Sequence, residues 1–248
     1  MAVIHQSLKD LNKFIHTNLE YYSEINTDDI KKIEQFLSKL PIKIQLNKFI
    51  EMRNLYMYML SKRKGILTNR YGDYIIKRYH NNESIIQIAN KYKLPPLSVL
   101  YQILIELKYE THVIEKMLTH TKRMPSIIQQ QLSDINKTNP LLWLPSINVN
   151  IYNDIKKLGV EFEYKKKLAP LVIFRVICSY NKIQFNWIEI KKYMLFDNKL
   201  ILMDINKTIH KYAKYGKGLV LFSDIICSPQ FIKKLQCHVG NYMFFKQS

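Results

Sequence analysis

A carboxylate and an ammonium group lie two residues apart in the apolar stretch Trp187-Ile188-Glu189-Ile190-Lys191. Residues i and i+2 of a strand project from the same face, so Glu189 and Lys191 are predicted to be neighbours. Such a pair suits metal-dependent phosphodiester cleavage: the carboxylate binds Mg²⁺ or Mn²⁺, and the lysine positions or deprotonates the attacking water. A structural ion pair gives the same pattern, and the spacing alone favours that interpretation.

The segment Ser84 to Leu104 holds a second set of candidate residues. A short helix, a break at Lys93-Leu94-Pro95-Pro96 and a second apolar-periodic helix form a helix-turn-helix pattern, in which Ser98 is predicted to cap the second helix. In a DNA-binding version the exposed side chains at the start of that helix contact base edges. Here they are Ser98, Tyr101 and Gln102. A helical hairpin inside a bundle is the alternative interpretation.

The elements that must position these residues fall into two parts. Apolar residues recur at helical spacing in three segments, 4–22, 27–40 and 46–60, and Thr27 is the predicted N-cap of the second. Two prolines near residues 138–145 end this rhythm. The sequence therefore predicts a helical domain over residues 1–138 that contains the helix-turn-helix, and a second domain over residues 139–248.

The second domain is predicted to be an α/β layer. Strand-like segments lie at 160–164, 171–177 and 184–193, with a hairpin turn at Asn181-Lys182. A helix is predicted from Met203 to Tyr215, ended by Gly216, and a buried strand follows at 218–222. This order predicts a mixed sheet with helices packed on it, so the fold class of the whole chain is α+β.

Charge favours a polyanionic partner. The chain has 38 Lys and Arg against 20 Asp and Glu, a net charge of +18. An AT-rich genome also raises the lysine content without selecting a basic surface, which is the competing explanation. Lys207, Lys211 and Lys214 are spaced four and three apart on one helix face, which is either a phosphate-binding or a merely solvated face. The predicted nucleic-acid-binding lysines are Lys165, Lys166, Lys167, Lys192, Lys207, Lys211 and Lys214.

Other functional classes fit the sequence poorly. No apolar run approaches 18 residues, the N-terminus lacks a signal-peptide core, and three cysteines are too few for a disulfide framework. We therefore expect an intracellular protein of the nucleus or cytoplasm that does not enter membranes. The AT-rich composition would suit a parasite or a large DNA virus, and in a virus the location would be the virion or the host cytoplasm.

From about Tyr74 to Phe222 the chain resembles the codanin-interacting nuclease family, the TPD-motif branch of the PD-(D/E)xK nuclease superfamily. The similar segments are the helix-turn-helix from Gln87 to Glu106, the stretch Trp187–Lys191, which is similar to W-I-E-S-K, and Tyr215–Val220, which is similar to an aromatic-G-P-G-L-V stretch. The resemblance implies a restriction-endonuclease-like fold, a Mg²⁺-dependent nuclease site at Glu189 and Lys191, and a codanin-like protein partner.

The alignment of these similar segments also shows where the chain departs from the family. The family's Thr-Pro-Asp falls on Ala169-Pro170-Leu171, so Leu171 replaces the metal-binding aspartate, and amides stand at 146–150 where an acid is expected. A divalent cation needs about two carboxylates to offset its dehydration. Glu189 alone, next to Lys191, is expected to bind metal weakly or not at all. We therefore predict a degenerate, inactive nuclease that needs no cofactor and binds nucleic acid, in particular DNA.

Two alternatives stay open. The first is an active nuclease that uses Mg²⁺ or Mn²⁺ with a substituted ligand, for which the sequence offers four acids without selecting one: Glu161, Glu163, Asp197 and Asp204. The second is a non-catalytic protein-interaction subunit built on a nuclease scaffold, in which the lysine content reflects codon bias.

Overall fold

The computed structural model describes residues 2–140, 143, 172–180 and 183–242. These residues form an α+β fold, as predicted, with helices in the N-terminal part and a sheet in the C-terminal part. The predicted strand 160–164, the lysines Lys165, Lys166 and Lys167, and the segment Ala169–Leu171 lie outside the described residues.

The N-terminal part contains eight α-helices within the described residues. Short 3₁₀ turns, Thr68–Tyr71 and Thr121–Arg123, precede α4 and α8. The helices are α1 (Ala2–Asn18), α2 (Thr27–Ser38), α3 (Leu46–Gly65), α4 (Gly72–His80), α5 (Ile85–Tyr92), α6 (Pro96–Glu106), α7 (Thr111–Thr119) and α8 (Ser126–Lys137).

The caps of these helices differ in part from the prediction. Asn26, not Thr27, caps α2, because its side chain accepts a hydrogen bond from the Asp29 amide. Ser84 caps α5 in a reciprocal capping box with Gln87. The prediction that Ser98 caps α6 is wrong: α6 begins at Pro96, whose missing N–H suits the first turn of a helix, so Ser98 lies inside that turn.

The C-terminal part alternates strands and helices. A 3₁₀ turn, Ala213–Tyr215, follows its longer helix. The elements are β1 (Val172–Tyr180), β2 (Ile183–Lys191), β3 (Leu195–Phe196), α9 (Lys199–Tyr212), β4 (Gly218–Phe222), β5 (Ile225–Ile226), α10 (Pro229–Ile232) and β6 (His238–Asn241).

The main sheet has the order β1-β2-β4-β6 and is mixed. Strand β1 pairs antiparallel with β2, and Tyr180 opposite Ile183 agrees with the predicted hairpin. Strands β2 and β4, and β4 and β6, pair in parallel, which requires a crossover such as α9. Helix α9 begins at Lys199 rather than the predicted Met203, because Asn198 caps it. Strand β4 matches its predicted bounds and is buried throughout.

The chain divides into two compact units. The sheet unit comprises 1–13, 40–43 and 145–248, and the helical unit comprises 14–39 and 44–144. The prediction placed a single boundary between residues 138 and 139. The observed division lies somewhat later and also assigns the first residues of α1 to the sheet unit.

The helical unit has a continuous apolar core around α4 to α8. Ile75, Ile88, Leu100, Ile103 and Ile128 have no solvent exposure. Helices α4, α5 and α6 pack on one another here, so the predicted helix-turn-helix pair is held by a third helix. No helix among the described residues is long and apolar enough to cross a membrane.

Candidate functional site

Glu189 and Lys191 form the predicted same-face pair. Both lie on β2, near its carboxyl end, where they are paired in register with Val220 and Phe222 of β4. The Lys191 Nζ atom lies 2.9 Å from Glu189 Oε1, and both side chains are largely buried. Ligand sites of α/β sheets lie at this end of parallel strands, so the position is appropriate for a functional site.

Helix α9 supplies two further partners to Lys191. Its ammonium group donates to Asp204 Oδ2 at 3.1 Å and to Thr208 Oγ1 at 2.9 Å. Tyr193 donates its hydroxyl to the same Asp204 oxygen at 2.6 Å. A lysine has three N–H donors, so Lys191 is fully satisfied by these acceptors and Glu189. We call these five residues the Lys191 cluster.

The electrostatics of the Lys191 cluster keep the lysine charged. Burial alone would lower the pKa of Lys191, but the charges of Glu189 and Asp204 and their hydrogen bonds raise it above its ordinary value. A lysine that takes a proton from water in catalysis needs a lowered pKa. Lys191 is therefore suited to holding two carboxylates and unsuited to acting as a general base.

The Lys191 cluster does not fit a divalent cation. Glu189 and Asp204 would be its ligands, but both direct an oxygen at the Lys191 ammonium, so a second cation between them would be repelled. Among the described residues no group of three or more His, Cys, Asp or Glu side chains is placed to hold a metal ion. One oxygen, Glu189 Oε2, is buried with no hydrogen-bond partner among the described residues.

Of the four alternative acids, Asp204 is the one that the structure brings to the pair. Asp197 is used elsewhere, since its two carboxylate oxygens accept from the Ser228 amide at 2.8 Å and hydroxyl at 2.5 Å. Glu161 and Glu163 lie outside the described residues. The sequence reasoning missed Thr208 and Tyr193. The four-residue spacing of Asp204 and Thr208, which places both on one helix face, was an available signal.

The stretch 183–242 of the sheet unit is rich in exposed lysines. Between residues 183 and 242 all four acidic side chains are buried or half-buried: Glu189, Asp197, Asp204 and Asp224. In the same stretch eight lysines are exposed and no Asp or Glu side chain is, so the exposed acidic and lysine side chains carry only positive charge. They are Lys192, Lys199, Lys207, Lys211, Lys214, Lys217, Lys233 and Lys234.

The three lysines predicted to share a helix face are exposed together. Lys207 and Lys211 lie on α9, and Lys214 lies in the 3₁₀ turn that follows. The Nζ atoms of Lys211 and Lys214 lie 5.1 and 5.2 Å from the ring centroids of Tyr212 and Tyr215. These ring contacts orient part of the basic face.

The predicted base-reading residues of α6 are not exposed. Gln102 is buried and donates from Nε2 to Glu106 Oε1 at 2.9 Å, and Ser98 and Tyr101 are half-buried. A Cβ atom added to Gly65 would lie 3.0 Å from Ser98 Oγ, and one added to Gly72 would lie 2.9 Å from Gln102 Nε2. The connection between α3 and α4 therefore packs on this face, and the prediction that Gln102 is exposed is wrong.

The segments Trp187–Lys191 and Tyr215–Val220, singled out in the sequence, contact each other. Trp187 donates from Nε1 to the Gly216 carbonyl at 3.1 Å. Gly216 has a φ of +99°, and a Cβ added to Gly218 would lie 1.9 Å from the Trp187 ring. Gly218 is therefore required by the close approach of β4 to Trp187, and Gly216 by its positive φ. Trp187 and Gly218 are paired in the β2–β4 register that also sets Lys191 opposite Phe222.

Comparison with known proteins gives no match. No protein-family model matches the chain, and no curated protein and no solved structure matches it.

Proposed function

We propose that this protein binds nucleic acid, with DNA as the preferred ligand, through the lysines of its sheet unit, and that it does not cleave it. The observation that carries the proposal is the set of eight exposed lysines, without an exposed carboxylate, between residues 183 and 242. Phosphate contacts dominate the affinity of proteins for nucleic acid, and they need cations that reach solvent without competing acids nearby.

The proposal includes a degenerate nuclease domain of the PD-(D/E)xK type, related to the codanin-interacting nucleases. Its support is the mixed sheet with a β2-α9-β4 crossover, the position of Glu189 and Lys191 at the end of β2, and the contact of Trp187 with the Gly216–Gly218 turn. The proposed loss of cleavage is supported by the Lys191 cluster, in which the Lys191 ammonium is paired with the carboxylates of both Glu189 and Asp204.

The test is binding of a fluorescently labelled DNA duplex, measured by anisotropy over a series of salt concentrations. The variant Lys207→Glu/Lys211→Glu/Lys214→Glu should bind at least about tenfold more weakly, with a salt slope smaller by about one to three. The matched control reverses three exposed helical lysines of the helical unit. It is Lys31→Glu/Lys91→Glu/Lys116→Glu.

Two results would contradict the proposal. If wild-type protein binds no DNA even at low salt, the protein-interaction subunit becomes the better explanation of the fold. If both triple variants lose affinity equally, the lysines act only through net charge and the sheet unit is not the binding surface.

One observation favours a second candidate function, an active divalent-metal nuclease with a substituted ligand. Asp204 and Glu189 are both paired with Lys191, so the two carboxylates are close enough to be ligands of one metal site. This function requires Lys191 to release at least one of them. Cleavage of DNA in Mg²⁺ or Mn²⁺ that is lost in Asp204→Asn would establish it.

A further inference from the structure

The helical unit carries a second basic surface, where α3 ends and α4 begins. The six side chains that define this α3–α4 surface lie in the last turn of α3, in the 3₁₀ turn Thr68–Tyr71 and in the first two turns of α4. All six are exposed: Lys62, Arg63, Arg70, Tyr71, Tyr74 and Lys77.

The acidic residues in or next to the α3–α4 surface neutralise little of its positive charge. Asp73 is the one exposed acid of the segment 62–77. Glu83 is bound to Arg78, and Glu106 accepts from Gln102. Four exposed cations therefore face one exposed carboxylate, a balance that favours phosphate.

Two exposed aromatic rings lie in the same segment of the chain as these cations. The side chain of Tyr74 is 63% exposed and that of Tyr71 is 38% exposed. Tyr71 is supported from behind by Tyr92, at 5.6 Å between ring centroids. Tyr71 and Tyr74 are three residues apart, a spacing that places side chains on the same side of a helical segment. Exposed rings between cations suit the stacking of unpaired bases, because every base has a face that can stack on an aromatic side chain.

The packing of α6 favours a single-stranded ligand over a duplex for the helical unit. A recognition helix reads a duplex by entering the major groove with its first turns exposed. In α6 that face, at Ser98 and Gln102, packs against Gly65 and Gly72. These two glycines belong to the segment that carries the α3–α4 surface. In a protein that reads duplex DNA, the recognition helix is exposed. In this helical unit, rings and cations are exposed instead.

We propose that the α3–α4 surface binds single-stranded nucleic acid, with Tyr71 and Tyr74 stacking on unpaired bases and Lys62, Arg63, Arg70 and Lys77 contacting phosphates. This inference rests on the proposed function, since it names the structural class of the ligand and adds a second surface. It uses side chains of the helical unit alone, so its failure can be told apart from failure of the lysine surface on the sheet unit.

The experiment compares a labelled single-stranded oligodeoxynucleotide with the duplex of the same sequence, on the full-length chain. Tyr71→Ala/Tyr74→Ala removes both stacking rings and should bind the single strand more than about tenfold more weakly, while its duplex affinity changes less than about twofold. Tyr71→Phe/Tyr74→Phe keeps the rings and should bind like wild type. Tyr74→Ala alone, at the more exposed position, repeats the measurement without disturbing the contact of Tyr71 with Tyr92.

The outcomes separate the two proposals. If the alanine variants bind the single strand like wild type while the Lys207, Lys211 and Lys214 triple variant does not bind, the lysine surface stands and this inference fails. If single strand and duplex lose affinity equally in the alanine variants, base stacking is excluded and the inference also fails. If wild type binds neither oligonucleotide at low salt, both proposals fall together.

Discussion

The ammonium of Lys191 donates to the carboxylate of Asp204 at 3.1 Å and so joins the last residue of β2 to the second turn of α9. The same ammonium lies 2.9 Å from Glu189 on its own strand. Lys191, whose spacing from Glu189 suits nuclease chemistry, therefore connects a strand to a helix. The charge of this lysine is taken up inside the domain, and the proposed contact with nucleic acid is therefore assigned to lysines on the surface.

Removing the Lys191 ammonium should destabilise the sheet unit. Lys191→Met leaves Glu189 and Asp204 facing each other without a cation. We expect a loss of about 2 kcal/mol, below the cost of breaking a fully buried pair because these side chains retain some contact with water. Urea unfolding monitored by tryptophan fluorescence measures this loss. The neighbouring exposed residue is the control, and Lys192→Met should change stability by less than about 0.5 kcal/mol. Equal stability of the two variants would show that the Lys191 cluster does not support the fold.

Divalent cations should neither stabilise the protein nor activate it. Mg²⁺ or Mn²⁺ that bound at Glu189 would raise the melting temperature with increasing concentration, because a ligand of the folded state stabilises it. We expect no such rise and no cleavage of single-stranded, branched or duplex DNA. Lys191→Ala is the informative variant, since it frees both carboxylates. A metal-dependent rise in melting temperature in Lys191→Ala alone would show that the lysine is what keeps the cation out.

The sequence predicts well those features that depend on neighbouring residues. The apolar patterns of 184–193 and 218–222 predict β2 and β4, and alternation along a strand predicts that Glu189 and Lys191 meet. Thr208 is not predicted, and Asp204 is not singled out among the four acids named, because the sheet and α9 bring them to Lys191 only after the crossover has folded. The covering of Gln102 is likewise missed, since the residues responsible belong to a different helix pair.

The helical unit should lose stability in acid through Glu20. Burial alone would raise the pKa of Glu20, but hydrogen bonds from Lys64 at 3.0 Å and Tyr56 at 2.8 Å hold it below its ordinary value. The stabilisation is therefore present above the pKa of the unfolded chain, about 4.3, and is lost as the pH falls through the lower folded value. Glu20→Gln should be less stable than wild type at pH 7, and the difference should shrink below pH 4. Circular dichroism melts between pH 3 and 7 measure it; a difference that stays constant with pH would contradict this account.

Gly218 should tolerate no side chain. A Cβ atom there would overlap the Trp187 ring, so Gly218→Ala must displace either the indole or β4. We expect a loss of about 3 kcal/mol, at the upper end for overpacking a core. Lys217→Ala, at the exposed adjacent position, should be nearly neutral. If Trp187→Phe makes room, the double variant Trp187→Phe/Gly218→Ala should lose less than the sum of the two single changes, which a double-mutant cycle detects.

Arg53 should be irreplaceable even by lysine. It has no solvent exposure, and its guanidinium donates to the carbonyls of Leu19, Tyr21 and Ser23. Its Cζ atom also lies between the rings of Tyr21 and Trp143, at 4.9 and 4.8 Å. Burial lowers the pKa of Arg53 to about 10, and the group is still a cation at neutral pH.

Arg53→Met would leave three carbonyls without a donor, and Arg53→Lys would supply a single nitrogen where a planar fork reaches three acceptors. We expect losses of about 4 kcal/mol for methionine and about 2 kcal/mol or more for lysine, measured by urea unfolding. Lys32→Met, an exposed lysine paired with Asp29, is the control and should cost less than about 1 kcal/mol. If Arg53→Lys unfolds at the wild-type urea concentration, the three carbonyl bonds do not hold the α1–α2 connection, and the charge alone accounts for the role of Arg53.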